Sequence, residues 1–355
     1  MTDPPRNDLH FGFVVGITNY PGISDLHGPG QDAAAFHAWL IDPAGGALPP
    51  GNVHVVSASS GETRTRAARP TRSDIVAELF DLNDKIRAAV GEDPEKFERS
   101  RLYVFLAGHG IAPGGGGAAL LPANARRGLY GENLEIDKCR TWYVECGVVR
   151  ELVVFCDFCR NRIGLAEAGP LGFTRCLSSR GQVETFIGFA AAYDRPAYEE
   201  HEEDIPPDER RGFFSRSLVE ALTGAGAHGG PVTSDTVAAY VKQRVRELTD
   251  GLTPAQEARF PNDLSRPIAF GTGGRTVVPP RQVTIELPPS VTEPLQLLDH
   301  RHHPIGRWNP GQGPWTVHLE DGLYAVRPGP GAGRTAELAG GGLFKVVGDD
   351  RHVRL

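Results

Sequence analysis

The chain has 355 residues, of which 40% are hydrophobic and 23% charged, with 37 Lys and Arg against 44 Asp and Glu. This composition is typical of a soluble globular protein and excludes disordered and fibrous classes, and the length predicts one large or two unequal domains. The net charge of -7 argues against a nucleic-acid-binding face that relies on bulk positive charge. No apolar run approaches about 18 residues, and the polar start MTDPPRNDLH lacks a secretory signal, so we expect a cytoplasmic protein without membrane contact.

Continuous apolar runs predict strands that are buried on both faces of a parallel sheet. They are FGFVVGI from Phe11, NVHVVSA from Asn52, RLYVFLAG from Arg101, ELVVFCD from Glu151 and VETFIGFAAA from Val183, with PIAFG from Pro267 as a sixth. Helical patterns alternate with them and begin at Asp32, Ser73, Asp137, Phe213 and Ser234, with Ser73 as a predicted helix cap. The alternation predicts a three-layer α/β/α sandwich around a mostly parallel sheet over residues 1–275.

The sequence pattern changes over residues 276–355, where helical periodicity disappears. Short β-rich runs, VTIEL, WTVHL, LYAVR and FKVVG, are divided by Pro- and Gly-rich turns. This pattern predicts a small accessory domain of the β-sandwich or half-barrel type.

The number and spacing of the five cysteines favour a free functional thiol over a disulfide framework or a zinc site. Their odd number in a long chain without a signal segment disfavours a disulfide framework, and Cys156 and Cys159 alone have CxxC spacing, too little for a zinc site. Cys156 is expected to be an inert residue inside its strand. Cys139, Cys146 and Cys176 are likewise expected to be structural.

Polar residues follow two of the predicted strands, at the edge of an α/β sheet where ligands usually bind. His109 lies between Gly108 and Gly110 after RLYVFLAG, and Asp157 and Cys159 end ELVVFCDFC. A nucleophilic thiol needs an imidazole to take its proton, and a developing oxyanion needs free backbone N–H donors. The amides of Gly110 and Cys159 are the candidate donors. A lone His or Cys is more often a packed residue, but the complementary pair favours catalysis.

These residues stand in segments that resemble the caspase-like cysteine peptidases, in their metacaspase and prokaryotic branch. The resemblance covers roughly residues 10 to 270. Its segments are FVVGITNYPGISDLHGPGQDAAAFHAWL, LYVFLAGHG, VVFCDFCRN and FIGFAAAYDRPAYE followed by GFFSRSLVEAL, in the order that the family has them.

The resemblance implies a cysteine endopeptidase with a His–Cys dyad and no cofactor. His109 would be the general base or imidazolium partner, Cys159 the nucleophile, and Gly110 with Cys159 the oxyanion donors. Metacaspases bind the residue before the cut bond in an acidic pocket. The matching carboxylates, Asp32, Asp157 and Asp194, imply cleavage of protein substrates after Arg or Lys. Each carboxylate could instead have a purely structural role: Asp32 as a helix N-terminal residue, Asp157 as a strand-end acceptor and Asp194 as part of an acidic loop.

The sequence departs from the family pattern at Arg160, next to the nucleophile. Many metacaspases have a His or another small polar residue there. A buried Arg beside the thiolate would lower its pKa, but the side chain could equally face solvent.

The resemblance also implies two forms of regulation. Some metacaspases respond to calcium, and the stretch from Asp194 to Arg211, with eight acidic and three basic residues, is a candidate calcium-binding loop. The same acidic loops are usually only solvated, and this one lacks the Gly turn of an EF-hand. A cleavable precursor is the second expectation, with a cut after Arg180 or Arg211 by the enzyme itself or by an upstream protease. Relatives in the prokaryotic branch act in regulated cell death or antiviral defence.

Two alternatives from other classes stay open. The first is a catalytically silent interaction scaffold with the caspase fold, in which the β-rich tail is the working part. The second is a hydrolase or transferase that uses the same Cys–His layout on a small molecule. Reaction with a peptide electrophile discriminates the first from a peptidase, and the depth of the pocket discriminates the second.

Overall fold

The chain separates into two compact units, Met1–Thr276 and Val277–Leu355. The computed structural model describes residues 7–58, 61–114, 117–163, 181–200, 210–227, 230–272, 281–299, 303–319, 322–329, 338–346 and 351–355. Within these ranges, no helix is long and apolar enough to cross a membrane.

The first unit alternates strands and helices along the chain. Its strands, within the described ranges, are β1 (His10–Gly16), β2 (Val53–Ser57), β3 (Arg101–Ala107), β4 (Gly110–Ala112), β5 (Ala119–Leu120), β6 (Leu134–Glu135), β7 (Glu151–Asp157), β8 (Asn161–Arg162), β9 (Glu184–Phe189), β10 (Pro231–Thr233), β11 (Asn262–Asp263) and β12 (Ala269–Thr272). Its helices are α1 (Gly28–Ile41), α2 (Arg72–Val90), α3 (Pro94–Glu98), α4 (Ile136–Cys146), α5 (Phe213–Leu222) and α6 (Ser234–Leu248).

The central sheet has the strand order β11-β9-β7-β3-β1-β2. The five long strands are parallel, and β11 pairs with β9 in the antiparallel sense. Strand β3, at the centre, is buried along its whole length, as its continuous apolar sequence predicts. The five strands predicted first are therefore confirmed. The sixth is not part of this sheet, because PIAFG forms β12 and pairs with β10 in a separate two-stranded ribbon.

Helices cover both faces of the sheet. On one face, Phe36 of α1, Phe214 of α5 and Val241 of α6 belong to one apolar core. On the other face, Leu79 of α2 and Tyr143 of α4 belong to a second core. The three-layer α/β/α sandwich is thus confirmed.

The start of α2 differs from the prediction. Thr71, not Ser73, is the N-cap, because its side chain accepts from the Asp74 amide while the Asp74 carboxylate accepts from the Thr71 amide. This reciprocal arrangement is a capping box, which satisfies two backbone donors at the end of the helix.

The second unit consists of strands and turns around its own core. Its strands are β13 (Arg281–Glu286), β14 (Leu295–Leu298), β15 (Pro304–Trp308), β16 (Trp315–Leu319), β17 (Gly322–Pro328), β18 (Leu343–Val346) and β19 (Arg351–Arg354). They form two sheets, β16-β13-β19 and β15-β14-β17-β18. Val283, Leu295, Trp315 and Val326 are among the buried residues of this core, so the β-rich character predicted for the tail is confirmed.

Candidate active site

The carboxyl ends of β3 and β7 bring the predicted dyad residues to one edge of the sheet. The strands are parallel neighbours in which Ala107 is paired with Asp157, and the Gly108 amide donates to the Asp157 carbonyl at 3.3 Å. The residues that follow therefore emerge together. A cavity at this edge is lined by residues from both strand ends and from three other segments: Leu26, Pro29, Asp32, Gly108, His109, Asp157, Phe158, Cys159, Ala197, Tyr198, Glu199 and Gly212.

The backbone around His109 is held by Tyr20. The buried Tyr20 hydroxyl accepts from the His109 amide at 2.9 Å and donates to the Leu121 carbonyl at 3.1 Å. Gly108 is needed beside it, because a Cβ there would collide with the same hydroxyl. The glycine of the sequence motif thus has a packing reason, which is to let Tyr20 reach the turn.

The imidazole of His109 has a defined tautomer. Its Nε2 lies 2.9 Å from the Ser24 carbonyl, which can only accept, so Nε2 carries the proton and Nδ1 is the basic nitrogen. Burial lowers the pKa of His109 below its usual value, against the opposing effects of the Ser24 carbonyl, Glu199 and Asp25. The ring is therefore neutral at pH 7 and ready to accept a proton at Nδ1.

The thiol of Cys159 is half-buried and lies against Ala197. The Ala197 amide donates to Sγ at 3.2 Å, and the thiol donates to the Ala197 carbonyl at 3.5 Å. Burial raises the pKa of Cys159 and outweighs the Ala197 amide, while Asp157 raises it further. The resting pair is thus a neutral thiol and a neutral imidazole, not a thiolate–imidazolium pair.

Among the described residues, the other cysteines are not part of the cavity lining. Cys156 is fully buried in β7 and has a free thiol, as does Cys139, and burial raises the pKa of both. Cys146, which is expected to be structural, is disulfide-bonded, although the sequence argues against a disulfide framework. Sequence alone does not show which thiols fold into bonding distance. Cys176 lies outside the described residues.

Gly110 begins β4 directly beside the thiol-bearing segment. A Cβ at this position would collide with the Phe158 ring and lie 2.7 Å from the Cys159 carbonyl oxygen. Only glycine allows the two segments to approach this closely. The approach places the Gly110 backbone next to that of Cys159, and the role of their amides as oxyanion donors stays a prediction.

Asp32 and Asp157 meet on the other side of the cavity. Asp32, in the second turn of α1, accepts from Arg211 Nε at 2.5 Å and from the Gly212 amide at 2.8 Å. Asp157, the last residue of β7, accepts from the amide and hydroxyl of Ser215 at 3.0 and 2.5 Å. Burial raises the pKa of Asp32 to about 7 and that of Asp157 to about 6, although Arg211 lowers both.

The third predicted carboxylate, Asp194, does not join this pair. It is exposed, its carboxylate accepts from the Arg162 amide at 3.0 Å, and it is not among the residues that line the cavity. A positive φ of 57° at Asp194 turns the chain there, which carries the following residues back toward the cleft.

Glu199, not Asp194, lines the cavity together with Asp32 and Asp157. Its carboxylate lines the cavity and accepts from the amides of His27 and Gly28, at 3.1 and 2.8 Å, at the beginning of α1. A carboxylate is stabilised there by the helix dipole. In the sequence, Glu199 ends the segment AAYDRPAYE, five residues beyond Asp194.

Arg160 is half-buried and packs against an aromatic ring. Its guanidinium stacks on the Phe189 ring, with Cζ 4.4 Å from the ring centroid, and reaches the Ala191 carbonyl at 3.4 Å. The departure from the family pattern thus stabilises the packing of the loop after β7. It leaves the charge environment of Cys159 to the groups named above.

The acidic stretch is only partly a solvated loop. Glu200 is 3% exposed and pairs with Arg216 at 2.6 Å, and Glu199 is engaged with α1. The acids between residues 201 and 209 lie outside the described residues. Among the residues that the structure does describe, no group of three or more His, Cys, Asp and Glu side chains could hold a metal ion. Calcium activation stays an untested prediction.

Comparisons with known proteins find similarity at the level of solved structures. No protein-family model and no curated protein sequence matches the chain. Among solved structures it is similar to caspase-1 from Spodoptera frugiperda, with a TM-score of 0.44, 13% identity, and coverage of 78% of this chain and 94% of that chain. It is also similar to a structure of pro-sf-caspase-1, with a TM-score of 0.44, 14% identity, and coverage of 76% and 97%.

These identities do not carry an activity or a site residue from those proteins to this chain. Nor do they distinguish the metacaspase or prokaryotic branch from other caspase-like peptidases, so the finer assignment stays a prediction.

Proposed function

We propose that the protein is a cysteine endopeptidase that cuts protein substrates after Arg or Lys. One observation carries the proposal: a single cavity is lined by His109, by Cys159 and by the carboxyl-bearing residues Asp32, Asp157 and Glu199. A thiol with an imidazole supplies acyl transfer, and converging carboxylates in a partly desolvated cleft bind a guanidinium through charge-assisted hydrogen bonds.

The proposed reaction begins with proton transfer from the Cys159 thiol to Nδ1 of His109. Sγ then attacks the scissile carbonyl carbon, and the amides of Gly110 and Cys159 donate to the resulting oxyanion. As the C–N bond breaks, His109 gives its proton to the leaving amine. Water attacks the thioester with His109 again as the base, and the thiol is regenerated.

The Ser24 carbonyl orients the base in this scheme. Because it accepts from Nε2–H, it holds the ring with Nδ1 free and offsets part of the burial that disfavours imidazolium. This supports a dyad of His109 and Cys159 in which a backbone carbonyl, not a carboxylate, orients the imidazole.

Fluorogenic peptides that differ only before the cut bond test the proposal. We expect hydrolysis of the Arg and Lys peptides and none of the Asp peptide, because buried acids reject an acidic side chain. The Cys159→Ala variant is the inactive reference. A preference for Asp would overturn the specificity. Absence of hydrolysis and of labelling by a peptide electrophile would favour the silent scaffold.

Processing of the precursor is a separate part of the proposal. The Arg211 carbonyl accepts from the Glu200 amide at 3.0 Å and the Gly212 amide donates to Asp32. Both groups of that peptide are thus engaged, which argues against a cut after Arg211 in this conformation. Arg180 lies outside the described residues and remains the candidate site. The physiological role, in regulated cell death or antiviral defence, rests on the sequence resemblance.

A further inference from the structure

Arg211 contacts the acidic pocket from outside the cavity. Its Nε donates to Oδ1 of Asp32 at 2.5 Å, while Oδ2 of Asp32 accepts from the neighbouring Gly212 amide. Asp32 and Gly212 line the cavity and Arg211 does not. Arg211 therefore pairs with a carboxyl-bearing residue of the cavity without itself being among the lining residues.

The backbone of Arg211 is fixed on both sides. Its amide donates to Oε2 of Glu200 at 3.2 Å, and its carbonyl accepts from the Glu200 amide. Glu200 is itself buried and paired with Arg216 of α5. Two more hydrogen bonds hold this connection, since the Phe213 amide donates to the Tyr198 carbonyl at 3.2 Å and the Gly212 amide to Asp32. Arg211 is thus held in place next to residues that line the cavity.

Several charges act on Asp32 at this place. Asp157 opposes its ionisation and Arg211 favours it, while Glu199, His109 and Cys159 face the same cavity. Two buried carboxylates close together do not both ionise without a compensating cation. Gly212 allows the crowding, because a Cβ there would collide with Oδ2 of Asp157 and lie 3.0 Å from Oδ2 of Asp32.

We propose that Arg211 is a positioning residue of the acidic pocket: it fixes the Asp32 carboxylate against the cavity and supplies the counter-charge that this carboxylate needs. The inference rests on the proposed function, because it concerns how the same pocket recognises a basic side chain. It assigns to Arg211 a role in specificity instead of the role of a processing site.

Binding of acetyl-arginine methylamide to the Cys159→Ala protein, followed by NMR titration, tests the inference without catalysis. Acetyl-citrulline methylamide is the uncharged control ligand. At pH 7 we expect Arg211→Gln to weaken binding of the arginine ligand about tenfold, the usual effect of losing one charge-assisted hydrogen bond. Arg211→Lys should restore most of it. Arg64→Gln, which removes an exposed arginine paired with Glu62, should change nothing.

Two further measurements separate the role of Arg211 from a purely structural one. Raising the pH to 9 should reduce the difference in affinity for the arginine ligand between Arg211→Gln and its parent, because Asp32 then ionises without a counter-charge. In an Asp32→Asn background, Arg211→Gln should have little additional effect, since the arginine acts through that carboxylate.

The possible outcomes are distinct. If the parent binds the arginine and citrulline ligands equally, the acidic specificity itself is wrong and the inference falls with it. If the parent prefers the arginine ligand but Arg211→Gln binds that ligand equally well or more tightly, the proposed function stands. Arg211 then has no positioning role, or it competes with the ligand for Asp32. Failure of both Arg211→Gln and Arg211→Met to fold would assign Arg211 to the fold and overturn the inference.

Discussion

The two sides of the candidate cleft are built in different ways. On the thiol side, His109 and Cys159 follow the ends of two adjacent parallel strands, and register alone brings them to one edge. On the acidic side, Asp32 of α1 and Asp157 at the end of β7 accept hydrogen bonds from the beginning of α5, and Glu199, from a loop, accepts from the beginning of α1. The nucleophilic side therefore follows from the pairing of two strands, whereas the acidic side depends on the packing of two helices and a loop at the edge of the sheet.

The largest expected effect falls on the thiol side. Cys159→Ala and His109→Ala should each lower kcat/KM by several orders of magnitude, because the covalent route is lost. Cys156→Ala should keep most of the activity, since that thiol is buried in β7. Rates on an Arg peptide with matched protein concentrations measure this. An active Cys159→Ala together with an inactive Cys156→Ala would reverse the assignment.

A smaller effect is expected on the acidic side, and it separates Glu199 from Asp194. Glu199→Gln keeps an acceptor for the α1 amides but removes a charge from the cavity. We expect it to raise KM for an Arg peptide about tenfold with kcat unchanged, as for the loss of uniform binding. Asp194→Asn is the matched control and should leave KM unchanged. The opposite pattern would show that the loop rearranges when substrate binds.

The pH dependence distinguishes the two sides within one protein. Cation binding needs ionised carboxylates, and the pKa of Asp32 is raised to about 7 and that of Asp157 to about 6. The KM for an Arg peptide should therefore fall as the pH rises through about 7, and it should rise below that value as the acids are protonated.

The thiol side should titrate elsewhere. The pKa of His109 is lowered from 6.5 and that of Cys159 is raised from 9.0, so kcat should be flat between those values. A citrulline peptide, if turned over at all, should show no change of KM near pH 7. A kcat that changes steeply between pH 6.5 and 9.0, with KM constant, would contradict the neutral resting dyad.

The smallest effect is expected from removal of the second unit. Val277–Leu355 has its own core, and a chain that ends at Gly274 should remain folded and hydrolyse short peptides at nearly the full rate. Thermal unfolding and peptide hydrolysis of the shortened chain measure this. An insoluble product would show that the first unit depends on the second for its folding.

Local sequence was sufficient for elements whose signals are complete in a short window. The helices Phe213–Leu222 and Ser234–Leu248 begin and end as their periodicity predicts, and the five long strands are found where apolar runs are continuous. The same signals predicted that His109 and Cys159 would lie together, although their catalytic roles stay proposals.

Other features were decided only by tertiary structure. The separate ribbon of PIAFG, the disulfide at Cys146 and the choice of Glu199 over Asp194 all depend on where the chain returns in space. The pairing of Arg211 with Asp32 spans 179 residues, and no local pattern reports it. Apolar periodicity is a pattern within one turn of a helix or two residues of a strand. The hydrogen bonds of a buried carboxylate depend instead on donors from distant parts of the chain.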